Sequence, residues 1–216
     1  MQRHRGSALL EILMGLSVGL VVVAGASSLA ASQWAHYRNA REMTQTLQTL
    51  RRVSDAIARD MRRSGMWHLA AHADASQRNP YAGLQWSGSS TTSAATAVGF
   101  SAAHPKRSDD NLLTDDERLG FRLRQGVVET QIGLGNWQAL HDPAAVQFVQ
   151  MTLTPTVVVQ PLPCEATWSP DPPRLLKLLV HIELQAHPSA RPAAAQQWAT
   201  WVRVRQDTRV GTCTAS

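Results

Sequence analysis

Between Arg5 and Arg38 the chain carries a single formal charge, Glu11. The run from Ile12 to Ala31 is 20 residues of almost unbroken apolar and small side chains. As a helix it matches the hydrocarbon core of a bilayer. A carboxylate at the edge of such a helix is costly unless something compensates it. The chain itself offers a compensator: a cut after Gly6 would give Ser7 a new ammonium group, with Glu11 about one helical turn away. Two other readings compete. A secretory signal peptide would have Leu16 to Ala24 as its apolar core and a cleavage site near Ser28-Leu29-Ala30, but Glu11 falls badly at its front. An uncleaved single-pass anchor gives Glu11 no purpose. Arg3 and Arg5 ahead of the run favour a cytoplasmic leader and an exported C-terminal domain.

After this helix about 150 residues remain, enough for one domain with one core. The net charge is +5 and no basic run exceeds two residues, so charge alone is weak evidence for a nucleic-acid partner. The two cysteines, Cys164 and Cys213, both fall in the exported part. In an oxidising compartment they can form a disulfide. Closing a loop of about 50 residues contributes about 4 kcal/mol in the chain-entropy model. Two separate buried thiols are the alternative.

The helix is expected to continue past the apolar run. Met43, Leu47, Leu50, Val53, Ile57 and Met61 recur at spacings of three and four, within an arc of about 120°. Arg41, Arg52, Arg59 and Arg63 lie opposite. One helix from about Ser7 to Ser64 results, with Gly65 as its C-terminal stop. Its stripe packs on the following domain; a free coiled coil is the competing reading, with only about three heptads to support it.

Beyond Trp67 the texture changes. Ser87 to Thr96 reads as loop. Arg118 to Arg124 alternates Leu119, Phe121 and Leu123 with arginines, a half-buried strand. Gly126 turns the chain and Val127 to Ile132 returns as its hairpin partner. Ala145 to Leu153 is another strand. In Leu175 to Gln185, Leu176, Leu178, Val180, Ile182 and Leu184 share one face, opposite Lys177, His181, Glu183 and Gln185. Pro188 to Gln197 is a Pro/Ala-rich loop, and Trp198 to Gln206 is the last strand. Hairpin-length connections favour an antiparallel sheet. The fold class is therefore α+β, a long N-terminal helix packed on an antiparallel β-sheet.

Catalytic signatures are absent from the sequence: it has no Gly-rich phosphate loop, no Cys-x-x-Cys and no nucleophile elbow. His68 and His72 have the i, i+4 spacing of helical metal ligands but follow the helix stop, and read as loop histidines. Asp109, Asp110, Asp115, Asp116 and Glu117 form an acidic cluster. It lacks the glycine and alternate spacing of a calcium loop, and reads as solvated. Trp201, Arg203 and Arg205 share one strand face, a candidate contact surface for DNA or a protein, against the plainer reading of a surface strand. No enzyme activity, cofactor or metal is expected.

Gly6 followed by an apolar segment, with Glu11 five residues on, resembles the processing signal of type IV pilins and type II secretion pseudopilins. In place of the family's usual Phe after the cut stands Ser7, and Ser28 stands where a helix-breaking Pro is common. The stretch Ala56 to Trp67 resembles the end of the long helix in minor pilins of the PilW type. Glu117 to Leu123, Val127 to Thr130 and Trp137 to Leu140 resemble the strand region of prepilin-peptidase-dependent minor pilins. The resemblance implies cleavage after Gly6 by prepilin peptidase, N-methylation of Ser7, and pairing of Glu11 with a neighbouring subunit's terminal amine. It implies four segments: a leader (1–6), a transmembrane and assembly half of the helix (7–33), an amphipathic half (34–65) and a periplasmic β-rich domain (66–216). It also implies insertion in the inner membrane, other minor and major pilins and the inner-membrane assembly platform as partners, and a role in priming a type IV pilus. A type II secretion pseudopilin of the J kind and a DNA-binding pilus tip component are the alternatives.

Overall fold

The computed structural model describes residues 5–67, 79–87, 95–104, 110–164 and 171–213. Residues 1–44 and 45–216 form two compact units. Both contain part of one helix, α1, which runs Arg5–Arg63.

In the first unit α1 is the whole of the described structure. Its large apolar side chains from Leu10 to Leu29 are all exposed among the described residues. The serines here do not disturb it. Ser17, Ser27, Ser28 and Ser32 each donate their hydroxyl to a carbonyl three or four residues back, at 2.7–2.9 Å. That satisfies the hydroxyls inside the helix, as a hydrocarbon environment requires.

In the second unit the helix becomes amphipathic. Leu50, Val53, Ile57 and Met61 are fully buried and Leu47 partly so. Met43 does not join them; it is 42 % exposed. The buried stripe therefore starts one turn later than the heptad-like spacing suggests. The helix stops at Gly65, whose φ of +72° suits glycine. Its N–H donates to the Ser101 carbonyl at 2.8 Å. A Cβ here would lie 2.6 Å from the Gln206 side chain, which itself donates to the Ser64 hydroxyl at 2.6 Å.

Among the described residues eight strands follow: β1 (Leu84–Trp86), β2 (Ala97–Ser101), β3 (Arg118–Arg124), β4 (Val127–Ile132), β5 (Trp137–Ala139), β6 (Val146–Pro161), β7 (Arg174–Pro188) and β8 (Gln196–Val210). They form two antiparallel meanders rather than one sheet: β1-β2-β3-β4-β5 and β6-β7-β8. Among the described residues an isolated bridge from Ala95 to Leu153 joins the sheets, with both N–H···O distances at 2.9 Å. One core serves both. Val98, Phe100, Phe121 and Val128 come from the first sheet, and Met151, Leu153, Val180, Ile182, Leu184, Val202 and Val204 from the second, around the helix stripe. This is an α+β layer arrangement. The β3–β4 turn places Gln125 (φ +50°) and Gly126 (φ +78°) in the left-handed region, the pattern of a two-residue hairpin loop.

The strands of the second sheet overrun their expected ends. β6 continues eight residues past Leu153 through Pro155, a residue that normally argues against a strand. Here β6 is an edge strand, and the alternation set by the Ala95–Leu153 bridge turns the Pro155 nitrogen away from β7, where no ladder bond is lost.

Candidate functional site

Gly6, Ser7 and Glu11 lie in the first turns of α1. Glu11 is exposed, as are Leu10, Ile12, Leu13 and Met14 around it. An 18-residue window of this helix has mean hydropathy 2.1, and none of it is buried within the structure. By length and composition the helix can cross a membrane. Glu11, at the front of the apolar run, is the one formal charge between Arg5 and Arg38.

Cys164 and Cys213 are joined as a disulfide, with a Cα–Cα distance of 5.8 Å. The topology gives the bond a clear place. β6 and β8 run parallel on either side of β7, so their C-terminal ends lie together. The bridge clips these two ends across the start of β7. Backbone bonds tighten the same corner: Leu162 N–H to Pro173 O at 2.9 Å and Thr212 N–H to Asp171 O at 3.1 Å.

Trp201, Arg203 and Arg205 are exposed on one face of β8, while Val202 and Val204 are buried on the other. The indole is 54 % exposed. It stacks on His181 of β7, with ring centroids 4.5 Å apart at 27°. Arg203 is paired with Asp207 at 2.5 Å, which offsets its charge. Trp198, on the inner side, packs against the core and lies 4.7 Å from the Arg51 guanidinium of the helix.

The acidic cluster is put to structural use. Glu117 is buried, contrary to the solvated loop expected. Its Oε1 accepts from the His104 N–H at 3.1 Å and the Tyr81 hydroxyl at 3.3 Å, and its Oε2 accepts from the Thr114 N–H at 3.0 Å and the Thr114 hydroxyl at 3.1 Å. Asp115 lies 3.5 Å from Arg118, and Asp116 accepts from the Thr114 hydroxyl. The signal for this was present as Thr114-x-x-Glu117, a capping box. No group of three or more metal-ligating side chains occurs among the described residues. Asp109, His68 and His72 lie outside them.

Sequence reasoning missed His141. It lines a small polar pocket of about 210 Å³ with Gln45, Gln48, Thr49 and Arg52 of the helix and Asp142. Its Nε2 accepts from the Val128 N–H at 3.1 Å, and its ring lies against Phe148 at 4.6 Å. Burial holds its pKa below the usual 6.5, outweighing neighbouring Asp142. An imidazole accepting at Nε2 is neutral, so the two observations agree.

A long, exposed apolar N-terminal helix continuing into an α+β domain of antiparallel meanders is the architecture of a pilin-like protein. A family model, prepilin peptidase-dependent protein B, matches residues 39–204. That is about three quarters of the chain, and the chain belongs to this family. Membership implies processing by prepilin peptidase and association with a membrane. The family is one of pilin-like structural proteins rather than enzymes. No curated protein and no solved structure matches the chain.

Proposed function

We propose that this chain is a minor pilin of the PilW type. It is made as an inner-membrane precursor, cut after Gly6 and N-methylated at Ser7, and it takes part in priming assembly of a type IV pilus. Residues 1–6 are the leader, 7–33 the transmembrane and assembly segment, 34–65 the amphipathic segment and 66–216 the periplasmic domain. The carrying observation is the exposed apolar run of the helix, with Glu11, five residues after Gly6, as the one formal charge between Arg5 and Arg38, on a domain belonging to the prepilin-peptidase-dependent family. Helices of other pilins would cover the apolar surface, and a neighbour's terminal amine would compensate Glu11. Its action is assembly, not chemistry.

Processing tests this directly. Intact-mass measurement of the mature protein should give a chain starting at Ser7 with one added methyl group. A Gly6→Val precursor should stay uncut, because a β-branched side chain crowds a site that takes a minimal one. An uncut wild-type chain in cells with active prepilin peptidase would sink the reading.

A contact role for Trp201, Arg203 and Arg205 is supported by the exposed indole stacked on His181. DNA is one ligand for such a face. Retention of single-stranded DNA by the purified protein, falling steeply with salt and lost in Trp201→Ala, is the expected result if so.

A further inference from the structure

The apolar span ends in an ordered set of side chains. Trp34 and Tyr37, 68 % and 70 % exposed, follow the last apolar turn. Arg38 and Arg41 come next and are exposed too. At 100° per residue all four fall within an arc of about 100°, so they form one stripe on α1. Among the described residues neither arginine forms an ion pair. Tryptophan and tyrosine, with an apolar body and a polar tip, favour the boundary between hydrocarbon and headgroups. Arginine stems reach along such a boundary while the guanidinium meets phosphate, often with two donors at once.

The spacing agrees. Glu11 and Trp34 are 23 residues apart, about 35 Å of helix. A hydrocarbon core of about 30 Å fits between them. One depth therefore puts Glu11 at one interface and the stripe at the other.

We propose that Trp34, Tyr37, Arg38 and Arg41 form a binding site for the phosphate headgroups of anionic lipids in the outer leaflet of the membrane. This rests on the reading of α1 as a membrane anchor. The site holds the subunit at a fixed depth before assembly. Drawing the helix into a filament must strip the aromatic rings and both guanidinium groups from the headgroups, so the stripe sets how readily the subunit leaves the bilayer. Arg38 and Arg41, set against Glu42 beside them, leave this end of the span net positive, which selects anionic over zwitterionic lipid.

The test uses the full chain in lipid nanodiscs. Phosphatidylcholine is brominated either beside the headgroup or near the chain ends, and fluorescence quenching is compared between wild type and Trp34→Phe, which isolates Trp34 from the other tryptophans. Headgroup-side bromine should quench the Trp34 component several-fold more than chain-end bromine. Native mass spectrometry of the same chain, titrated with phosphatidylglycerol and phosphatidylcholine, should show a several-fold preference for phosphatidylglycerol. That preference should approach parity in Arg38→Gln/Arg41→Gln and persist in Arg62→Gln. Chain-end quenching, absence of quenching with the chain in the disc, or lipid parity in wild type would each overturn the proposal alone. Elution of the chain apart from the discs would overturn the anchor reading, and the proposal with it.

Discussion

Glu11 and His141 represent two uses of a titratable side chain, one at the surface of an apolar helix and one inside a packed domain. On the proposed reading, Glu11 would lie near the membrane interface, where water and headgroups would solvate it in part. In a packed bundle of helices it would need an opposite charge, and breaking such a pair by removing one partner is strongly unfavourable. On the proposed reading, such a pairing would select axial register. Glu11→Ala should leave membrane insertion and the cut after Gly6 intact but reduce co-purification with other pilins, with Glu11→Gln intermediate because it keeps an acceptor without the charge. Equal co-purification of Glu11→Ala and wild type at matched expression would count against this role. His141 acts through its neutral form. Its folded pKa lies below the unfolded value of 6.5, so the unfolded chain binds the extra proton first. Stability is full above about pH 6.5 and declines as pH falls through that value toward the folded pKa. Unfolding midpoints measured across this window should fall less steeply for His141→Gln than for wild type. Asp60 works in the opposite sense at lower pH: burial, only partly offset by Arg59 and Arg63, raises its carboxyl above 3.8, so stability falls as pH rises through that acid region.

Among the elements, α1 changes partner along its length. Up to Thr44 it belongs to the first unit and its apolar side chains face outward; from Gln45 on, its stripe is the centre of the domain core. The same 3.6-residue spacing runs through Met43 and Ile57, yet only Ile57 is enclosed. Ile57→Ala should cost about 2–5 kcal/mol, as a large core side chain replaced by a small one does. Met43→Ala should cost less than about 0.5 kcal/mol, as an exposed substitution does. Denaturant titration of the two full-length variants in detergent compares them; equal losses would mean that Met43 is packed in the protein as well.

At the scale of the whole molecule, a small domain with a short helix stripe and two narrow sheets is tied by one covalent clip. Cys164 and Cys213 are 49 positions apart, so their bond removes much of the unfolded chain's freedom. Under non-reducing denaturing conditions the protein should contain no free thiol, and Cys164→Ser or Cys213→Ser should lower stability by about 2–5 kcal/mol. Full maleimide labelling of both cysteines without reductant would show that the bridge is absent in the cell-derived protein.

Much of the architecture can be read from the sequence because its signals are local. The exclusion of charge from Ile12 to Ala31 marks the span; Gly65 marks the helix stop; the alternation in Leu175 to Gln185 separates the faces of β7, and that in Trp198 to Gln206 those of β8. Each depends on residues a few positions apart. Three-residue strands such as β1 and β5 are too short to carry a period, so they are recognised only by their pairing. The division into two sheets, the Ala95–Leu153 bridge between them, the inward turn of Glu117 toward Tyr81 and His104, and the acceptance of the Val128 N–H by His141 were decided by the tertiary structure. In each, the partner is distant along the chain; and Met43 and Leu50 follow the same helical spacing, yet only Leu50 is buried, a difference that the helix's own pattern does not carry.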